Sequence, residues 1–224
     1  KPDRGVGASD TMRIHNAQEL EQMLKTMHSG MIVEEFVHGT VCTFDGIINN
    51  QGKVVFATSH VYLGSVMDSV NEKRPIGCYS LKTVPDDLRS AGERTLQAFG
   101  VRDRLGRQGD IIGLEVNMRP PGGFLPDMID YANDIDIYQI WADTLFDHEP
   151  CYNLERPYSS VFVGRRKEKS YQHSMEWLIE RYQGAIIQRI VMDPVLAEAM
   201  GDEVLIARFP TEQQVFDFYT DCVR

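Results

Sequence analysis

Asp110-Ile111-Ile112-Gly113-Leu114-Glu115-Val116-Asn117-Met118-Arg119-Pro120-Pro121-Gly122-Gly123 is the stretch on which the fold turns. Ile111, Ile112, Leu114 and Val116 form the apolar run that a buried strand needs, with Gly113 as its weak point. Glu115 and Asn117 interrupt it two residues apart, so strand alternation puts both on one face, and Arg119 follows them if the strand persists. Burying such groups without partners costs several kcal/mol, roughly 2–7 for the amide alone. Oxygen donors of this kind suit Mg²⁺, and a fixed guanidinium suits phosphate or carboxylate. Taken alone, Glu-x-Asn-x-Arg favours a structural salt bridge at a strand end. Pro120-Pro121-Gly122-Gly123 then stops the strand and lets backbone approach whatever the polar groups hold.

The chain has 224 residues, 42% hydrophobic and 25% charged, which is the composition of an ordinary soluble protein of one large or two small domains. A formal net charge of −10 argues against a general nucleic-acid surface. Cys42, Cys78, Cys151 and Cys222 are scattered without C-x-x-C pairing, so neither a zinc site nor a disulfide framework is expected, and a reducing cytoplasm is the default. No apolar run approaches the roughly 20 residues that span a bilayer, so no membrane partner is expected. Lys1-Pro2-Asp3 enters a glycine-rich loop at once, and the chain reads as beginning inside a domain.

Lys1 and the loop Arg4-Gly5-Val6-Gly7-Ala8-Ser9 place a point charge beside backbone that can turn its N–H groups toward an anion. The loop differs from a P-loop, because its lysine precedes the glycines. Asn16 and Glu19 form a capping start for a helix with Leu20, Met23, Leu24 and Met27 at helical spacing, a stripe read as core. Met31 to Gly39 runs apolar, acidic, apolar, and closes on glycine. An adenine edge fits against backbone between Glu34-Glu35 and Val37, although the acidic pair alone reads as a solvated surface. Residues 40–48 and 53–58 flank Asn49-Asn50-Gln51-Gly52 and read as a hairpin. The span 61–79 has no clear pattern. One helix is predicted from Pro85 to about Phe99 with Leu88, Ala91, Leu96 and Phe99 buried, and another from Asp127 to about Phe146. Beyond Tyr152 the pattern predicts strand 158–164, helix 175–182, strand 185–192, helix 195–200, strand 203–208 and a last helix from a Thr211–Gln214 box to about Cys222. These last elements read as a compact α+β appendage.

Three signals now stand in order: Lys-Pro with a glycine-rich loop, Val-Glu-Glu-Phe-Val-x-Gly, and Glu-x-Asn-x-Arg-Pro-Pro-Gly-Gly. Together they resemble the ATP-grasp superfamily, in particular its carboxylate–amine ligase-like and carbamoyl-phosphate-synthase-like members. The resemblance implies an α+β fold of two lobes holding ATP between them. It places the ATP-grasp domain, incomplete at its N-terminus, at residues 1–150, and the α+β subdomain at 151–224. It implies ATP with Mg²⁺, or Mn²⁺, as cofactors and small-molecule carboxylate and amine substrates. The reaction implied makes an acyl phosphate that an amine then attacks.

Residue by residue, the resemblance gives Lys1 to the ATP phosphates and Gly5, Gly7, Ala8 and Ser9 to the loop over them. It gives Glu34, Glu35, Phe36 and Val37 to the adenine hinge, Glu115 and Asn117 to the metal, and Arg119 to the transferring phosphoryl group. Lys1 and Arg119 are then the catalytic pair. Phosphoryl transfer needs positioning and charge neutralisation more than a covalent nucleophile, and these residue types supply both.

The chain departs from the pattern twice. Val41 stands where many members carry a ribose-binding carboxylate, and Asp45, on the same strand face, is the candidate substitute. Only residues 101–109 separate the helix ending near Phe99 from the Glu115 strand, where the family runs a strand with a second metal carboxylate. Nine residues reach roughly 30 Å with nothing left for a turn, and their arginines and glycines do not suit a central strand. A β-rich segment is therefore expected to be missing, most simply between Arg104 and Leu105. Three readings follow: a ligase, a nucleotide-binding module without turnover, and a carboxylase or carbamoyl-phosphate-type enzyme using bicarbonate. Homo-oligomerisation is left open.

Overall fold

The computed structural model describes residues 1–3, 11–27, 29–100, 105–108 (backbone only), 116–117, 119–148, 152–153 and 155–224. Helix α1 (Ala17–Thr26) starts as its capping box dictates: Asn16 Oδ1 accepts from Glu19 N at 2.9 Å, and Glu19 Oε2 accepts from His15 N at 2.8 Å. Strands β1 (Phe44–Ile48) and β2 (Val54–Thr58) form the expected hairpin. Asn49 closes its turn by accepting from Gln51 N and Lys53 N. The span without a clear pattern contains β3 (His60–Tyr62), α2 (Val66–Asn71) and β4 (Ile76–Ser80). The remaining elements are α3 (Asp86–Ala98), β5 (Leu105–Gln108), β6 (Val116–Asn117), α4 (Leu125–Asn133), α5 (Ile137–Leu145), β7 (Ser159–Arg165), α6 (Met175–Arg181), β8 (Ile186–Val191), α7 (Pro194–Met200), β9 (Glu203–Phe209) and α8 (Glu212–Val223).

Two antiparallel sheets organise the molecule, one in the order β2-β1-β5-β6 and the other β3-β4-β7-β9-β8. Alternation along β7 and β9 sends Val161, Val163, Leu205 and Ala207 to one face, where Leu178 of α6 and Val215 and Phe218 of α8 cover them. Phe162, Val204 and Ile206 face the other way, against Leu125 and Met128 of α4. Ile129, one residue on, packs with Ile47 of β1, Phe56 of β2 and Ile137 and Ile140 of α5, so α4 joins both sheets. On the opposite face of the smaller sheet, Phe44 and Ile48 meet Leu88 and Leu96 of α3.

Several sequence expectations change, among them the α1 stripe read as core, since no residue of α1 is buried. The helix expected over 127–146 is two helices, because Asp134 turns left-handed (φ 51°) and Asp136 caps a new start by accepting from Gln139 N at 2.9 Å. In α3 the buried stripe is Leu88, Gly92 and Leu96, while Phe99 is exposed. Residues 105–108, read as unsuited to a strand, form β5 between β1 and β6. Pairing on both edges outweighs the low strand propensity of Gly106 and Arg107. β7 pairs directly with β4, across the boundary drawn at residue 150.

Candidate functional site

Lys1 meets the segment that the sequence reading gave to an adenine hinge. Ile32 N donates to Lys1 O at 2.8 Å, Pro2 bridges Met31, and the Lys1 ammonium pairs with the Glu34 carboxylate. Glu34, Glu35, Phe36 and Val37 all lie at the surface. The Arg13 guanidinium stacks on the Phe36 ring at 3.8 Å and His38 meets that ring edge-on, which fixes one side of the hinge. Neither contact was legible in the motif.

Asn117 is half-buried on β6, at the edge of the smaller sheet. Its register partner on β5 is Arg107, whose partner on β1 is Asp45. The three positions therefore form one row on one sheet face, about 10 Å across at strand spacing. Arg119 is exposed, and its Nη1 donates to Pro120 O at 3.1 Å. Gly123 turns left-handed (φ 64°) into α4, and a Cβ there would lie 3.0 Å from Met200 Cε. That glycine thus serves the turn and its packing on α7.

Asp45 has different partners from those expected of a ribose ligand. It is wholly buried; its Oδ2 accepts from Thr43 Oγ1 at 2.5 Å and lies 2.8 Å from His60 Nδ1. His60 is equally buried, and its N–H donates to Thr43 Oγ1 at 3.0 Å. Residues on β1 have both sheet edges paired and helices over both faces, so Asp45 turns inward to this node. Sequence reading missed His60.

Gly5, Gly7, Ala8, Ser9 and Glu115 lie outside the described residues, as does Arg104, the near side of the expected gap before Leu105. Among the described residues there is no group of three His, Cys, Asp or Glu side chains able to hold a metal ion. Asn117 is the one proposed metal ligand within them. A carboxylate and an amide oxygen, Glu115 with Asn117, form a hard oxygen set that fits Mg²⁺ or Mn²⁺. Among the described residues, no helix is long and apolar enough to cross a membrane.

No protein-family model and no curated protein sequence matches the chain. Solved structures do. Phosphoribosylglycinamide synthetase from Anaerococcus prevotii is similar over 93% of this chain and 59% of its own, at TM-score 0.61 and 16% identity. L-amino acid ligase from Bacillus licheniformis is similar over 94% and 58%, at TM-score 0.69 and 12% identity. N5-carboxyaminoimidazole ribonucleotide synthetase from Thermus thermophilus is similar over 92% and 56%, at TM-score 0.63 and 12% identity. The chain thus spans under three fifths of the length of each of these three structures. The fold they share with it is the ATP-grasp fold.

Proposed function

Starting from an ATP-grasp fold that carries Lys1, the 34–37 hinge, Asn117 and Arg119 in family order, we propose that this chain is the nucleotide-binding part of an ATP- and Mg²⁺-dependent ligase. It activates a carboxylate as an acyl phosphate for attack by an amine. The observation that supports this best is the joining of Lys1 to Glu34: a phosphate-type cation and an adenine-type hinge, 33 positions apart, are held together by backbone pairing and an ion pair.

In this reading the backbone of Glu35 to Val37 orients the adenine edge, and Lys1 leaves Glu34 to neutralise phosphate charge. Glu115 and Asn117 would hold the divalent ion, which would supply charge neutralisation at the phosphates. Arg119, anchored by Pro120 O but otherwise exposed, stabilises charge on the transferring group. Glu115→Gln and Asn117→Ala should each abolish turnover in the full-length protein while leaving the unfolding midpoint within a few degrees. Turnover at the parental rate in either variant refutes the metal assignment.

A second reading, a nucleotide-binding module without turnover, is favoured by the row across the smaller sheet. The position beside Asn117 on β5 is Arg107, where the family resemblance expects a carboxylate-bearing strand. Acid- and amine-dependent ADP release distinguishes the two.

A further inference from the structure

β7 ends at Arg165, and its polypeptide continues as Arg166-Lys167-Glu168-Lys169 around a cavity of about 160 Å³. In a chain of net charge −10 this is a concentrated basic spot. The acids nearby are already engaged. Glu203, opposite Arg165 in the β7–β9 register, accepts from Arg189 Nε at 3.1 Å and Nη2 at 2.7 Å. Asp202 accepts from Lys167 N at 3.1 Å and lies 3.5 Å from its Nζ. Glu168 pairs with Lys73, and the exposed Glu176 lies 3.8 Å from Arg189.

Among the described residues, no carboxylate lies within ion-pair distance of Arg165 or Lys169, and Arg165 acts on the exposed Glu176 carboxylate only as a minor, longer-range influence. Arg165 is 6% exposed, yet it donates only one hydrogen bond there, from Nη2 to His173 O at 2.8 Å, and its plane stacks on Tyr171 at 3.7 Å. A buried guanidinium with most of its fork unused is costly alone and binds an oxyanion strongly. Arg166, also buried, spends its own donors on the carbonyls of Ser69, Arg74 and Ala197, so among the described residues its charge adds to the field without a counterion.

We propose that this cavity binds a phosphoryl oxyanion between Arg165 and Lys169, as free phosphate or on a small phosphomonoester. Arg165 alternates with Val161 and Val163 onto the sheet face opposite the one covered by α4. The proposal is argued without the ATP reading, and the Arg119→Gln variant below separates the two.

The test is calorimetric titration of the full-length protein with inorganic phosphate and with glycerol 3-phosphate, alongside Lys169→Gln, Arg165→Gln and Arg119→Gln. Lys169 is exposed, so its variant reads binding even if Arg165→Gln folds poorly. Parental binding is expected to survive in Arg119→Gln, weaken at least tenfold in Lys169→Gln and vanish in Arg165→Gln. Glycerol 3-phosphate binding tenfold tighter than phosphate identifies a phosphomonoester site; equal binding identifies a phosphate site. Absence of binding by the parent at millimolar ligand, unchanged binding in Lys169→Gln, or loss in Arg119→Gln overturns the proposal.

Discussion

Gly92 lies in the middle of α3, where alanine normally stabilises a helix by about 0.8–1.0 kcal/mol. Its missing Cβ, however, would sit 2.6 Å from Phe44 Cγ and 2.8 Å from Cε1. Phe44 is 2% exposed, on a strand paired at both edges, so neither ring nor backbone has room to yield. Overpacking of this kind costs about 1–3 kcal/mol. Gly92→Ala is therefore expected to destabilise by about 1 kcal/mol net, which lowers the melting temperature of a chain this size by roughly 2–4 °C. Phe44→Ala removes the obstructing ring at a cost of about 3–5 kcal/mol. In that background Gly92→Ala should change sign and stabilise by about the helix-propensity amount, giving a coupling of about 1–3 kcal/mol. Urea unfolding of the four proteins measures the cycle. A stabilising Gly92→Ala in the parent, or equal effects in both backgrounds, refutes the α3–β1 packing.

Three further outcomes are expected. Burial pushes the Asp130 carboxyl up to about 6, with Asp136 and Asp127 adding to the rise and the hydrogen bond from Ile137 N opposing it. Because the folded state holds this proton more tightly, its contribution to stability is fully present below the usual carboxylate range near pH 4 and is lost as pH rises through about 6. Asp130→Asn, which keeps an acceptor for Ile137 N, should flatten the stability profile between pH 4 and 6 and raise the melting temperature at pH 8; an unchanged profile contradicts the shift. Burial pushes the Cys222 thiol up to about 12, so iodoacetamide at pH 8 should leave Cys222 unmodified in the folded protein, as peptide mass spectrometry would show. Val37→Leu should leave ATP affinity within a factor of about three if the hinge contact is made by backbone, and a selective tenfold loss would contradict that reading.

The fold was legible where local chemistry acts alone. The Thr211–Gln214 cap and the alternation of β7 and β9 gave elements within a residue or two of their observed bounds, and the Asn16–Glu19 cap gave the start of α1. The Asn49–Gly52 turn gave the hairpin, although its first strand, read from residue 40, begins at Phe44. It was not legible where tertiary pairing decides. Gly106 and Arg107 read as loop but fill the slot between β1 and β6, and β3 with β4 becomes visible only as the edge on which β7 pairs. At the candidate site, the motif order pointed to Lys1, Glu34, Asn117 and Arg119, and the structure joins the first two. Asp45 and His60 escaped correct reading for one reason: their partnership crosses a hairpin and depends on register, which residue spacing along one strand does not encode.

The central claim is tested most directly by ADP release from the full-length protein with Mg²⁺-ATP, across a panel of carboxylic acids with and without amines, with hydroxylamine as a trap. The account predicts ADP formation that requires one acid, a hydroxamate of that acid in the trap, and loss of both in Arg119→Ala by about 10²–10³-fold, the magnitude of removing one charge-stabilising donor. Tight ATP binding with no acid-dependent ADP or hydroxamate across the panel would contradict the ligase reading and leave the nucleotide-binding module in its place.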